Sequence, residues 1–135
     1  SQDAESFMNL TRFCFYDAVS NKAYPIIFYK EEQKTYNAFG ITFERLSNLE
    51  ELSLIRYDLL DGYSFKKEHS NTKKILRYTN HQIEIYADKI KCGNIQFTKD
   101  GETLFNIVQK RNHSQILEIT IAKWREYGYD IRIDK

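Results

Sequence analysis

The chain has 135 residues and a net charge of +1, which fits one domain long enough to support its own core. No apolar run approaches the roughly 18 residues that a membrane helix needs, and the near-neutral total excludes a global field that would gather nucleic acid or anionic membrane. The charge is nonetheless uneven, with six Lys/Arg against ten Asp/Glu in residues 1–61 (−4) and fourteen against nine in residues 62–135 (+5).

Ser1-Gln2-Asp3-Ala4-Glu5 reads as a helix start, with Ser1 able to cap and the acids favoured by the helix dipole. Phe7, Leu10, Cys14 and Ala18 recur at helical spacing, and Phe13, Phe15 and Tyr16 widen that face almost to the whole circumference. A long N-terminal helix over residues 1–24 is therefore expected. A helix apolar nearly all round needs cover on several sides. Phe7, Leu10, Phe13, Phe15 and Tyr16 become the candidate protein interface, covered by the rest of a longer protein or by a second copy. Ten Tyr, nine Phe and one Trp leave two readings open: either some rings lie at a contact surface or the core is built of rings.

Pro25 ends this helix, and Pro25–Tyr29 reads as a short strand, followed by a weakly helical stretch from Lys30 to Phe39. Gly40 and Ile41 break the chain before a clear helix capped by Thr42, with Phe43, Leu46, Leu49, Leu52 and Ile55 at steps of three. Short strand candidates follow at 62–65, 75–79, 82–86 and 93–97, with a tight hairpin marked by Asn80-His81. Thr98 caps another helix. In the tail, Leu117, Ile119 and Ile121 alternate as in a strand, but Ser114 as a start and Gly128 as a stop favour a helix, then a strand at 129–133. This order predicts an α+β fold. It is a winged helix-turn-helix-like core over 25–112, with an added N-terminal helix and a C-terminal helix and strand over 113–135. The helix from Thr42 would be the recognition helix, and residues 62–97 the wing.

Three phrases carry a family resemblance: Gln2-Asp3-Ala4-Glu5-Ser6-Phe7 with Leu10, Phe13 and Cys14; Gly40-Ile41-Thr42 leading to Leu46, Leu49, Leu52 and Leu54-Ile55; and Phe97-Thr98-Lys99-Asp100-Gly101-Glu102-Thr103-Leu104. Together they resemble the C-terminal part of bacterial proteins grouped as the domain of unknown function number twenty-eight-oh-six. The resemblance implies a bacterial cytoplasmic protein with a helical part preceding this one, and a start at Ser1-Gln2 without Met also suggests a fragment. It implies no catalytic residues. Where related sequences often have Gly after the two-leucine helix, this chain has Ser53, which puts the tightness of that helix end in doubt.

Catalytic patterns are not found in the sequence. His69, His81 and His113 have no ligand spacing with each other or with Cys14 and Cys92, and the two cysteines read as reduced cytosolic thiols. The five glycines stand singly, so there is no phosphate loop. No enzyme activity and no cofactor are expected. The local feature above background is the basic stretch with Lys66, Lys67, Lys73, Lys74 and Arg77 among Tyr63, Phe65 and Tyr78, a mixture that suits phosphate and base contact. The helix from Thr42 opposes duplex readout, since it carries Glu44, Glu50 and Glu51 against Arg45 and Arg56. Two functions follow. The favoured one is a non-catalytic protein-interaction or self-association module working through the N-terminal aromatic face. The alternative is a nucleic-acid module working through the basic stretch, and it gains if its lysines and Tyr63 converge on one groove.

Overall fold

The chain leaves its first helix sooner than its periodicity predicts. A computed structural model describes residues 1–65 and 73–134. The first helix, α1 (Gln2–Thr11), is capped by Ser1, whose Oγ accepts the Ala4 amide at 3.2 Å, and its last turn is closed by the Thr11 hydroxyl donating to the Met8 carbonyl at 2.6 Å. The chain then extends as β1 (Cys14–Asp17), turns at Asp17, and returns as β2 (Ala23–Pro25). The expected helix over 1–24 is thus a helix and a hairpin. Phe13, Cys14 and Phe15 form a short, continuous apolar run, which periodicity alone cannot assign to helix or to a strand covered on both faces. All three are buried.

The same geometry removes the expected interface. Phe7, Leu10, Phe13 and Phe15 are at most 2% exposed, and Tyr16 is half-buried. Their cover comes from this chain: Phe7 meets Phe97, Phe13 meets Tyr36, Phe15 meets Trp124 and Tyr16 meets Phe105, with ring centroids 5.3–5.9 Å apart. The rings of the N-terminal stretch are core.

After Ile26–Tyr29, an extended and wholly buried segment, come α2 (Gln33–Ala38) and α3 (Phe43–Glu51), the latter capped by Thr42 as expected, its Oγ1 accepting the Arg45 amide at 3.2 Å. Helix α3 stops at Glu51 because Ser53 takes a left-handed backbone at φ +61°, so Arg56 falls on β3 (Ile55–Tyr57), not on the helix. The chain goes on through β4 (Tyr63–Phe65), β5 (Lys73–Tyr78), β6 (His81–Tyr86), β7 (Ile90–Gly93) and β8 (Ile95–Phe97). It ends with α4 (Lys99–Ile107), α5 (Ser114–Glu126) and β9 (Asp130–Asp134). Thr98 caps α4 as the sequence suggests, while α5 is capped one residue early, by His113 Nδ1 accepting the Gln115 amide. The β5–β6 turn is Thr79-Asn80, one residue earlier than expected, with Thr79 at φ +54°.

The result is an α+β fold. Its main sheet is antiparallel with order β2-β1-β5-β6-β9, and two-stranded pairs β3–β8 and β4–β7 stand beside it. The β5–β6 hairpin, expected as a projecting wing, is hydrogen-bonded on both sides, to β1 and to β9. Register places Phe15, Leu76, Tyr78, Ile83, Ile85 and Ile131 on one buried face, against which Trp124 of α5 packs with its indole N–H donating to the Lys91 carbonyl at 2.8 Å.

The small sheets are held against the rest by backbone contact at Gly93. Its φ is +98°, and a Cβ there would lie 2.0 Å from the Ile27 carbonyl oxygen. Gly128 also has positive φ, +90°, but nothing lies within 4 Å of its Cβ position. Gly93→Ala should therefore cost about 3 kcal/mol or more, and Gly128→Ala only about 1 kcal/mol. Equilibrium denaturant unfolding of the two variants measures this difference.

Candidate ligand groove

The pleat of the sheet decides which basic residues can act together. Successive strand residues point to opposite faces. Lys73 and Arg77 sit on the outer face of β5, Lys74 on the inner face. Arg77 donates to the Asn21 side-chain oxygen at 2.9 Å, and the Lys73 ammonium lies 6.0 Å from the Tyr86 ring centroid. Lys74 turns inward to an ion pair with Asp17 and stands 4.8 Å over the Phe65 ring. Lys66 and Lys67 lie outside the described residues. The described cations of the basic stretch are thus divided between two faces.

A different set of side chains does converge. Between β2, β4 and β8 lies a groove of about 490 Å³, lined also by the start of α4. Arg56 from β3 and Lys99 from the first turn of α4 are exposed at its rim, and neither has an ion-pair partner among the described residues. Lys22 joins them from the β1–β2 turn, partly neutralised by Glu102 at 3.2 Å. Tyr24, Tyr63 and Phe65 supply the aromatic walls, with Tyr24 and Phe65 edge-to-face at 4.9 Å. The α4 N-terminus adds partial positive charge.

Lys74 is the one described member of the expected basic set that lines this groove, and its ion pair makes it a structural cation. Burial pushes the Asp17 carboxyl up, but its bond from Lys74 and the Val19 and Ser20 amides outweigh burial and hold it below the usual aspartate value. Tyr63 and Phe65 are the rings that sequence and groove have in common. Lys22, Tyr24, Arg56 and Lys99 come from separate elements, and nothing in sequence spacing links them. The Thr98 cap alone gave a signal, since it puts Lys99 at the first helical position.

Cys92 lines the inner wall of the groove, but burial pushes the thiol up to about 12, so it stays protonated. Burial likewise raises Tyr24 and Tyr63, whose phenols are neutral at physiological pH. Among the described residues no group of three or more His, Cys, Asp or Glu is placed to hold a metal ion, and no helix is long and apolar enough to cross a membrane. The arrangement can therefore offer cations and rings to an anionic ligand.

Compared with protein-family models, with curated proteins and with solved structures, the chain matches none of them. The family resemblance accordingly rests on the three phrases quoted above.

Because Asp17 has a folded pKa below its unfolded value, its contribution to stability is complete above about pH 4 and is lost as pH falls through the folded value. Asp17→Asn keeps the turn acceptor for the Val19 and Ser20 amides but leaves Lys74 unpaired, and should cost about 1–3 kcal/mol at neutral pH. Unfolding free energy measured from neutral to acid pH should fall with pH in the wild type, and the variant should show a flatter acid limb.

Proposed function

We propose that this domain is a non-catalytic binding module that takes single-stranded nucleic acid in the groove between β2, β4 and β8. The observation that carries the proposal is the meeting of Arg56 and Lys99, without ion-pair partners among the described residues, with the rings of Tyr24 and Tyr63 across one groove. Cations neutralise phosphate, and a tyrosine face stacks on any base, so the combination suits a single strand read without sequence preference.

Single-stranded rather than duplex binding is favoured by α3. Helices α2 and α3 are separated by a four-residue turn and followed by the β3–β8 pair, an order that supports a winged helix-turn-helix-like description of this segment. Yet α3 exposes Glu44, Glu50 and Glu51, and Arg45 is drawn back to the Gly40 carbonyl at 3.3 Å. That helix would meet a duplex groove with the wrong charge. Protein association through the N-terminal aromatic face loses its support, because those rings are core.

Fluorescence anisotropy with a labelled single-stranded oligonucleotide, across a salt series, tests the proposal. Binding should be sequence-blind and salt-dependent, with a log–log slope of roughly 0.7 per phosphate neutralised. Arg56→Ala with Lys99→Ala should lower the slope by about 1.4 and weaken binding about twenty-fold near 0.1 M salt. Absence of binding at low salt, or unchanged binding by a folded double variant, would remove the proposal.

A further inference from the structure

Tyr63 lines a second cavity as well as the groove. That cavity, of about 230 Å³, is bounded by Phe28, Lys30, Leu60, Lys91 and Tyr127. Lys30 and Lys91 bring cations to this compartment, the Lys91 ammonium standing 4.6 Å over the Tyr127 ring. Of its two acids, Glu31 is already engaged by Lys123 at 2.7 Å and by the Tyr127 hydroxyl, while Asp61 stands on the exposed loop.

The loop forming the outer wall is held in place. The Asp58 carboxylate accepts the Leu60 and Asp61 amides at 2.9 and 3.1 Å, and Asp58 is fixed in turn by backbone and side-chain bonds to Asn94, both 2.9 Å. Leu60, 84% exposed, is thereby presented to solvent beside Tyr63 on a loop with defined bonds. An isolated exposed leucine needs no explanation. A leucine whose backbone is fixed in the wall that Tyr63 shares offers the second compartment an apolar shelf for a base.

From this shared wall we infer that the ligand spans both compartments: the groove takes at least two successive nucleotides of a single strand, with the Tyr63 ring against the base at that wall and Lys30 and Lys91 on the phosphate beyond it. The inference rests on the nucleic-acid reading of the first compartment and adds the ligand's length and direction of travel. A mononucleotide would fill the first compartment alone and make no contact with Lys30 or Lys91.

The test compares a nucleoside monophosphate with a single-stranded hexanucleotide on the full chain, by calorimetry or anisotropy competition at low salt. Three variants are used: Lys30→Ala with Lys91→Ala, Tyr63→Ala, and Arg56→Ala with Lys99→Ala, with thermal melts to verify folding. The Lys30/Lys91 variant should weaken hexanucleotide binding at least about tenfold and leave monophosphate binding unchanged, since two phosphate contacts are lost only by the longer ligand. Tyr63→Ala should weaken the hexanucleotide about tenfold. If hexanucleotide binding responds to the Arg56/Lys99 variant but not to the Lys30/Lys91 variant, the two-compartment inference fails while the binding function stands. If the hexanucleotide binds no variant and not the wild type, both fail.

Discussion

Three stretches of backbone far apart in sequence are forced together at the Gly93–Asn94 step, and the groove exists because they meet there. The Asn94 amide donates to the Ile27 carbonyl at 2.8 Å, and its side-chain oxygen accepts the Lys30 amide at 3.0 Å. Its side-chain nitrogen and its carbonyl pair with the Asp58 backbone at 2.9 Å each. Asn94 is 8% exposed, so these bonds are made where an unpaired polar group would cost about 1–3 kcal/mol. Only glycine at 93 lets the chain approach Ile27 so closely, and a Cβ on Gly62 would in turn press to 2.7 Å from the Gly93 carbonyl oxygen. The loop that carries Leu60 and leads into Tyr63 is hung from this point.

The charges of the chain divide into those that hold the fold and those that face outward. Lys123 is 5% exposed, with its ammonium bonded to Glu31 and Glu32 at 2.7 and 3.3 Å and to Glu126 at 3.5 Å. Burial alone would pull this ammonium down, but the carboxylates outweigh burial and hold it above the ordinary lysine value. The effect is to fasten α5 to the segment that begins α2. Asp17 and Lys74 do the same between β1 and β5. Taking either partner away would strand a buried or half-buried charge, the costly case for ion pairs. Arg56 and Lys99 have no such duty among the described residues and stand exposed at the rim of the groove.

Much of the local structure was legible in the sequence because its signals are local. Thr42 and Thr98 cap the helices they were expected to cap, and Gly128 stands just past the C-terminal helix, where its left-handed backbone ends it. The failures come from signals that only tertiary packing resolves. The run Phe13-Cys14-Phe15 suits a buried strand as well as an all-round apolar helix, and the cover that makes it core, Tyr36 on Phe13 and Trp124 on Phe15, comes from elements further along the chain. Grouping Lys73, Lys74 and Arg77 as one basic patch ignored the two-residue period of the strand that carries them. The groove itself was hidden, because Lys22, Arg56 and Lys99 lie on three elements brought together by the β3–β8 pairing and the β1–β2 turn. Tyr63, Phe65 and Lys74 were its legible residues, while the exposed cations at its rim were not.

Amide chemical-shift mapping of the isotope-labelled domain, titrated at low salt with a short single-stranded oligonucleotide, locates the binding surface without any substitution. Shifts should concentrate at Tyr24, Arg56, Tyr63, Thr98 and Lys99, and leave Arg77, Glu84 and Arg132 on the outer sheet face unmoved. Shifts centred on that outer face, or none at any residue, would contradict the assignment of the groove as the ligand site.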